Sequence, residues 1–255
     1  MMIAPILRRL ETTYVTRDIV DSTIVIPTYN ERNNIDILIN QILQQPRFRV
    51  LVVDDNSPDG IADVVAAIAA DEPRVGLLTR PGKLGLGTAY VAGFRRALAE
   101  GAEYIFEMDA DFSHDPGYLP HLLAAAEQEY DLVIGSRYVP GGGTTDWGAL
   151  RRLISRGGNL YAHLILGMPV SDATGGFRCY RRRVLEAIDL AALRSNGYSF
   201  QIEMAYRTLQ AGFRIGEVPI IFPDRRVGHS KMSRRIVLEA LVTVWRLRFE
   251  KRQPR

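Results

Sequence analysis

Five short apolar runs restrict the fold more than any other feature of the chain. They lie at 22–27 (STIVIP), 49–53 (RVLVV), 75–79 (VGLLT), 102–106 (AEYIF) and 132–135 (LVIG). Between the first two, Ile35, Leu38, Ile39, Ile42 and Leu43 recur at helical spacing, and 61–70, 88–100 and 118–127 also read as helices. Near-continuous apolar strands alternating with helices predict an α/β fold, a parallel sheet covered on both faces. In such sheets ligands bind outside the carboxyl ends of the strands. Three polar loops follow three different strands there, at 29–31, 54–60 and 109–115, and converge on one crevice. No G-x-G-x-x-G follows the first strand, where Pro27-Thr28-Tyr29-Asn30-Glu31 stands instead, and no Walker A sequence occurs. Both absences argue against a nicotinamide oxidoreductase and a P-loop kinase or ATPase.

The most chemically pointed stretch is 107–116, EMDADFSHDP. Asp109 and Asp111 are two residues apart, which in extended chain turns both carboxylates to one side. Carboxylates held that close repel unless a proton or cation sits between them, and a hard ion such as Mg²⁺ or Mn²⁺ prefers such oxygens. The competing reading is a polar turn that caps the next helix, with Ser113 or Asp115 as N-cap and Pro116 in the first turn.

With 255 residues, 47% apolar and 24% charged, the chain has the balance of a soluble domain. No run approaches the roughly 20 apolar residues needed to cross a bilayer, and Arg8, Arg9 and Glu11 interrupt any secretory signal. The single cysteine, Cys179, excludes an intrachain disulfide and suits a reducing cytoplasm; it reads as a small buried residue. Charge is uneven: residues 225–255 carry ten Lys/Arg against two Glu, whereas the rest carries 22 basic and 27 acidic side chains. A basic end of this kind meets something anionic, whether phosphates, nucleic acid or lipid.

Beyond Arg137 the pattern changes. Residues 80–87 and the glycines at 141–143 read as a mobile loop and a flexible hinge. Over about 148–166, Leu150, Leu153, Ile154, Gly157, Tyr161, Leu164 and Ile165 mark one helix face, and Arg151, Ser155 and Asn159 fall on another. An arginine and a hydroxyl one turn apart make a phosphate grip, or equally a surface charge beside a helix serine. A short strand at 175–180 returns to the site, 199–210 reads as a helix, and 214–222 as an edge strand because of Pro219. A final helix from about 233 to 250 mixes Trp245 and Phe249 with arginines; it lies in a membrane plane or packs on the core. The divisions expected are a peripheral arm, 1–21, a catalytic domain, 22–232, that includes an interfacial helix at about 148–166, and a C-terminal amphipathic basic helix, 233–255.

Taken together, PTYNE at 27–31, DDNSPDG at 54–60, GLGTAYVAGF at 85–94, MDADFSHDP at 108–116, IGSRY at 134–138, the Arg151/Ser155 helix, DATGGFR at 172–178 and DRRVGHSK at 224–231 resemble the inverting family 2 glycosyltransferases of the GT-A fold. More narrowly, they resemble the dolichol- or polyprenol-phosphate mannose synthases over roughly 22–250. The resemblance implies that Pro27, Tyr29, Glu31, Val53 and Asp55 hold the nucleoside of GDP-mannose, and that Asp109 and Asp111 hold Mg²⁺ or Mn²⁺ on its diphosphate. Ala110 and Ser113 would flank that ion; Ser113 stands where some relatives place a glutamine ligand, and its hydroxyl is a poorer one. Ser199 falls at a donor contact that is a lysine in some relatives. Arg137, Arg151 and Ser155 would grip the phosphate of a dolichyl or polyprenyl acceptor, and Arg225 and Lys231 would close over the donor phosphates. The implied product is polyprenyl-phosphate β-mannose. The same chemistry with UDP-glucose, or a non-catalytic lipid-docking subunit, are the alternatives. The implied setting is the cytoplasmic face of a membrane, with a possible anchoring protein and no nucleic acid.

Overall fold

The computed structural model describes residues 21–224 and 234–250. A seven-stranded sheet runs through it in the order β3-β2-β1-β4-β7-β5-β8. The strands are β1 (Ser22–Thr28), β2 (Phe48–Asp54), β3 (Val75–Thr79), β4 (Tyr104–Glu107), β5 (Leu132–Ser136), β7 (Arg178–Arg181) and β8 (Ile215–Pro219). Six of them are parallel, while β7 runs antiparallel between β4 and β5. The carboxyl ends of β1, β2, β3, β4 and β5 therefore share one edge, as the apolar runs predict.

Alternation along each strand divides the core. Ile24 and Ile26 of β1 pack with α1 (Arg32–Leu43), α2 (Ile61–Asp71) and α4 (Leu119–Gln128), through Ile35, Leu38, Val65 and Leu122. Val25, Leu51 and Val53 face the other way, against α3 (Leu86–Ala99), α5 (Ala149–Leu166), α7 (Gly197–Gln210) and α8 (Arg234–Phe249). Helix and sheet approach closely at Gly93 of α3, where a Cβ would stand 2.3 Å from Val25 Cγ1. A short helix, α6 (Arg182–Ala187), follows β7.

Several local expectations change. The strand expected over 214–222 breaks at Ile220, whose side chain is buried and whose N–H donates to Ser136 O. Ile221–Phe222 becomes β9 and pairs with β6 (Gly143–Thr144) in a separate two-stranded sheet. The 141–143 glycines form no hinge: Gly142 N–H closes a turn onto Val139 O, and a Cβ there would lie 2.5 Å from Ser136 O. In the 80–87 segment Arg80 is buried, and α3 starts at Leu86 rather than Thr88.

The two long helices beyond β5 each turn one face to the core and one outward. In α5 the buried residues are Asn159, Ala162 and Leu166, whereas Leu150, Leu153 and Leu164 are 70%, 69% and 69% exposed. The apolar stripe therefore faces outward. α8 packs on α7 and α5, with Val244 and Leu247 in the core and Val242, Trp245 and Phe249 outside. One face of α8 thus packs on the core and the other is exposed. Among the described residues no helix is long and apolar enough to cross a membrane.

Candidate active site

β4 ends at Glu107, so the acidic pair lies in a turn and not on a pleated strand. What shapes the turn is Phe112, at φ 60°, a left-handed conformation uncommon for an aromatic residue. It brings Ser113 back onto Asp111: the Ser113 N–H and Oγ donate to Asp111 Oδ1 at 3.1 and 2.5 Å. Asp109 accepts from the Tyr90 hydroxyl at 3.2 Å, and its own N–H donates to His114 Nδ1 at 3.0 Å. His114 is buried and stacked on Phe177 at 4.9 Å. Burial, then Asp109, pushes the Tyr90 phenol well above its ordinary pKa, which keeps it a donor. The capping role belongs to Asp115, which accepts from Gly117 N–H ahead of Pro116. Capping and charge chemistry thus fall on different aspartates.

Beneath the turn lies a buried polar network. Glu107 accepts from Tyr180 and Gln201, and burial pushes its carboxyl up to about 7 despite nearby Arg178. Arg178, fully buried, donates to the carbonyls of Ala173, Gly175 and Gln201. It thereby ties the 172–175 loop to α7.

That loop carries the partner of Arg137. Arg137 follows β5 and gives three hydrogen bonds to Asp172: Nε at 2.7 Å, Nη2 at 2.6 Å and the backbone N–H at 3.0 Å. Burial alone would raise the Asp172 pKa, but Arg137 overrides it and holds the carboxyl below its ordinary range. Glu217 of β8 fixes the loop from the other side, accepting the N–H groups of Ser171 and Asp172.

Arg151 of α5 pairs with Asp224 and lies 3.9 Å above the Trp147 ring, which also lies 5.3 Å from Arg137. Trp147 thus gathers two guanidinium groups. Its Nε1–H, buried, has no hydrogen-bond partner among the described residues. Ser155 accepts from the Tyr138 hydroxyl at 2.7 Å. Arg137, Trp147, Arg151 and Ser155 open onto a cavity of about 220 Å³ whose far wall is Ile202, Leu241 and Val244. One end is cationic and the other apolar.

The other end of the crevice is at β1 and β2, where Pro27 and Val53 are register partners. Val53 is a core side chain, so only its backbone can reach a ligand. Asp55 forms a buried ion pair with Arg80 at 3.1 Å; burial raises its pKa and Arg80 opposes the rise. Tyr29 lies beneath Lys83 Nζ at 4.0 Å, a flat cation-capped ring. Glu31 holds Asn34 in the first turn of α1. Ala110, Ser113 and Ser199 are buried at the acidic turn and the start of α7. Arg225 and Lys231 lie outside the described residues.

Asp172, His114, Trp147, Arg80 and Lys83 were not singled out by sequence reasoning. Arg80 carried a usable signal, since it follows β3 at the same edge as Asp55. Chemically, Asp109 and Asp111 offer hard oxygen donors suited to a divalent cation. Among the described residues no group of three or more His, Cys, Asp or Glu could hold a metal. A cation here would complete its shell from ligand phosphates and water.

A mainly parallel sheet with one inserted antiparallel strand and an acidic turn after β4 defines a GT-A glycosyltransferase fold. The chain belongs to glycosyl transferase family 2, whose model matches residues 23–189. It is 49% identical over 223 residues to the undecaprenyl-phosphate mannosyltransferase of Micrococcus luteus, covering 87% of this chain and 91% of that one. It is 45% identical over 229 residues to the polyprenol monophosphomannose synthase of Mycolicibacterium smegmatis, covering 88% and 86%. Among solved structures, glucosyl-3-phosphoglycerate synthase from Mycobacterium tuberculosis, in complex with Mn²⁺, UDP and phosphoglyceric acid, shares the fold with a TM-score of 0.65 at 19% identity, covering 88% of this chain and 78% of that one. A Pyrobaculum calidifontis mannosyltransferase, in complex with GDP-Man and Mn²⁺, aligns with a TM-score of 0.55 at 16% identity, covering 94% and 79%.

Proposed function

We propose that the protein transfers mannose from GDP-mannose to a polyprenyl phosphate, with inversion, at the cytoplasmic surface of a membrane. The observation that carries this reading is the cavity with cationic mouth and apolar wall at the same sheet edge as the acidic turn. A sugar acceptor would need neither two arginines nor an apolar wall; a phosphorylated lipid needs both. The names of the relatives in Micrococcus luteus and Mycolicibacterium smegmatis support the same acceptor and sugar.

In this reading Tyr29, Glu31, Asp55 and the backbone at Pro27 and Val53 hold the nucleoside, and Arg225 and Lys231 meet the donor phosphates. Asp109 and Asp111, with Ala110 and Ser113 beside them, hold Mg²⁺ or Mn²⁺. When bound there, such an ion would supply neutralising charge for the departing diphosphate. Ser113 and Tyr90 orient the two carboxylates, and His114 fixes the backbone of Asp109. Arg137 and Arg151 bind the acceptor phosphate and set its line of attack. That phosphate is already an anion, so no general base is required. Attack at the sugar C1 from the face opposite GDP gives the β-linked product. The outward leucines of α5 and the exposed Trp245 and Phe249 of α8 meet the lipid surface.

The test mixes purified protein, Mg²⁺, radiolabelled GDP-mannose and a polyprenyl phosphate, and follows label into the organic phase. Transfer by wild type, lost in Asp111→Asn and Arg137→Met, is expected. Label that stays in water with the wild-type protein contradicts the reading.

A further inference from the structure

The sequence places two adjacent glycines, Gly157 and Gly158, in the middle of α5. Glycine is the poorest helix former after proline, so this placement needs a reason. Packing against the protein does not supply one: a Cβ built on either glycine meets nothing within 4 Å. Neither glycine is bent into a backbone conformation that other residues avoid. What both do is line the cavity.

Arg151, Ile154, Gly158 and Tyr161 follow helical three- and four-residue spacing and all line that cavity. Leu150, Leu153, Gly157, Leu160 and Leu164 form the adjoining stripe, and its leucines are exposed. The two stripes meet at Gly157. Opposite stand Leu241 and Val244 of α8 and Ile202 of α7. The seam between α5 and α8 is fixed by Tyr161, whose hydroxyl donates to Leu241 O at 3.2 Å. The result is a bare-backbone notch that leads from the two arginines to the apolar outer face of α5.

We infer that this notch seats the first isoprene units of a phosphorylated prenyl chain, with Gly157 and Gly158 as the specificity-determining positions. The inference rests on the polyprenyl-phosphate reading above and adds to it the part of the chain that the protein reads. Charge complementarity favours an anionic head: Arg137 and Arg151 both lie against one Trp147 ring at the mouth, and the partner of Arg151, Asp224, is exposed enough for a phosphate to displace it. Size limits what fits. At about 220 Å³ the cavity falls below the ~300–1,000 Å³ usual for whole small-molecule ligands. It holds a phosphate and the nearest units, and the remainder of the chain follows the exposed leucines outward.

The experiment measures binding of farnesyl phosphate, below its micelle concentration, and of ethyl phosphate to the full chain by calorimetry. Wild type, Gly158→Leu and Leu241→Trp are compared, the last altering the opposite wall at a partly exposed position. Farnesyl phosphate should bind wild type at least tenfold more tightly than ethyl phosphate. In both variants the gap should shrink to threefold or less, with ethyl phosphate within twofold of wild type. A gap kept in both variants, or equal binding of the two phosphates by wild type, overturns the inference. Mannose transfer by wild type is scored separately. No transfer with the tenfold gap retained sinks the parent reading and leaves the notch assigned.

Discussion

Replacing Asp172 by asparagine tests the buried ion pair on which the proposed acceptor end of the crevice depends. Asp172 is fully buried, and Arg137 spends Nε, Nη2 and its backbone N–H on the two carboxylate oxygens. An amide keeps the shape but removes the charge and points an N–H₂ at a guanidinium donor. The cation then stays buried without compensation, a loss of about 3–5 kcal/mol. For a chain of this size each kcal/mol lowers Tm by about 2–4 °C, so a fall of roughly 6–20 °C at pH 7 is expected in a thermal melt. The acceptor kcat/KM should drop about a hundredfold, because the phosphate loses its aim, while KM for the donor stays within about twofold. The sign with pH follows from the depressed Asp172 pKa. The pair's contribution is complete above the ordinary aspartate range and is lost as pH falls through the lowered value. The Tm gap between wild type and variant should therefore close on acidification. Arg137→Met combined with Asp172→Leu should recover most of the stability and none of the activity. A single variant that melts within 2 °C of wild type with an unchanged acceptor KM would refute the reasoning.

Glu107→Gln should flatten the pH dependence of stability. The wild-type carboxyl goes from an ordinary 4.5 to about 7 on folding, so its contribution is complete below 4.5 and lost as pH rises through 7, about 3 kcal/mol in all; melts from pH 4.5 to 8 read this directly. Trp147→Phe keeps an aromatic face for the arginines but removes the N–H that has no partner among the described residues, together with part of the buried ring; acceptor KM should rise about tenfold, the scale of one hydrogen bond to a charged group, with a modest fall in Tm from the cavity left behind. His114→Phe keeps the stack on Phe177 but orphans the Asp109 N–H, and should cost about 1–3 kcal/mol in chemical denaturation. Leu153→Glu with Leu164→Glu removes apolar surface that packs against nothing inside, so Tm should hold while flotation with anionic vesicles is lost.

Much of the sheet was legible because β1, β2 and β5 are nearly continuous apolar runs buried on both faces, a pattern that depends on neighbours in sequence. The same holds for the acidic turn, which follows β4 immediately, and for Arg137 immediately after β5. What fixes those groups was not legible. Asp172 lies 35 residues from Arg137 and reaches it only because β7 folds back between β4 and β5. His114 reads as one more polar residue of an acidic stretch until the φ of 60° at Phe112 turns the chain. Nor could periodicity say which way α5 faces. Its leucines fall on one stripe, which periodicity alone fits to a core or to an interface, and the structure buries Asn159, Ala162 and Leu166 instead. Asn159 explains the orientation. Its amide bonds Thr174 and the carbonyl of Ser155, and Thr174 accepts from Arg137. The face of α5 turned inward is the one that completes the polar lattice around Arg137, and the leucines are displaced outward. A helix oriented by its polar contacts leaves an apolar surface exposed at the mouth of the same cavity. In the proposed function, one rotation about the helix axis would thus serve both the charged head and the hydrocarbon tail of a phosphorylated lipid.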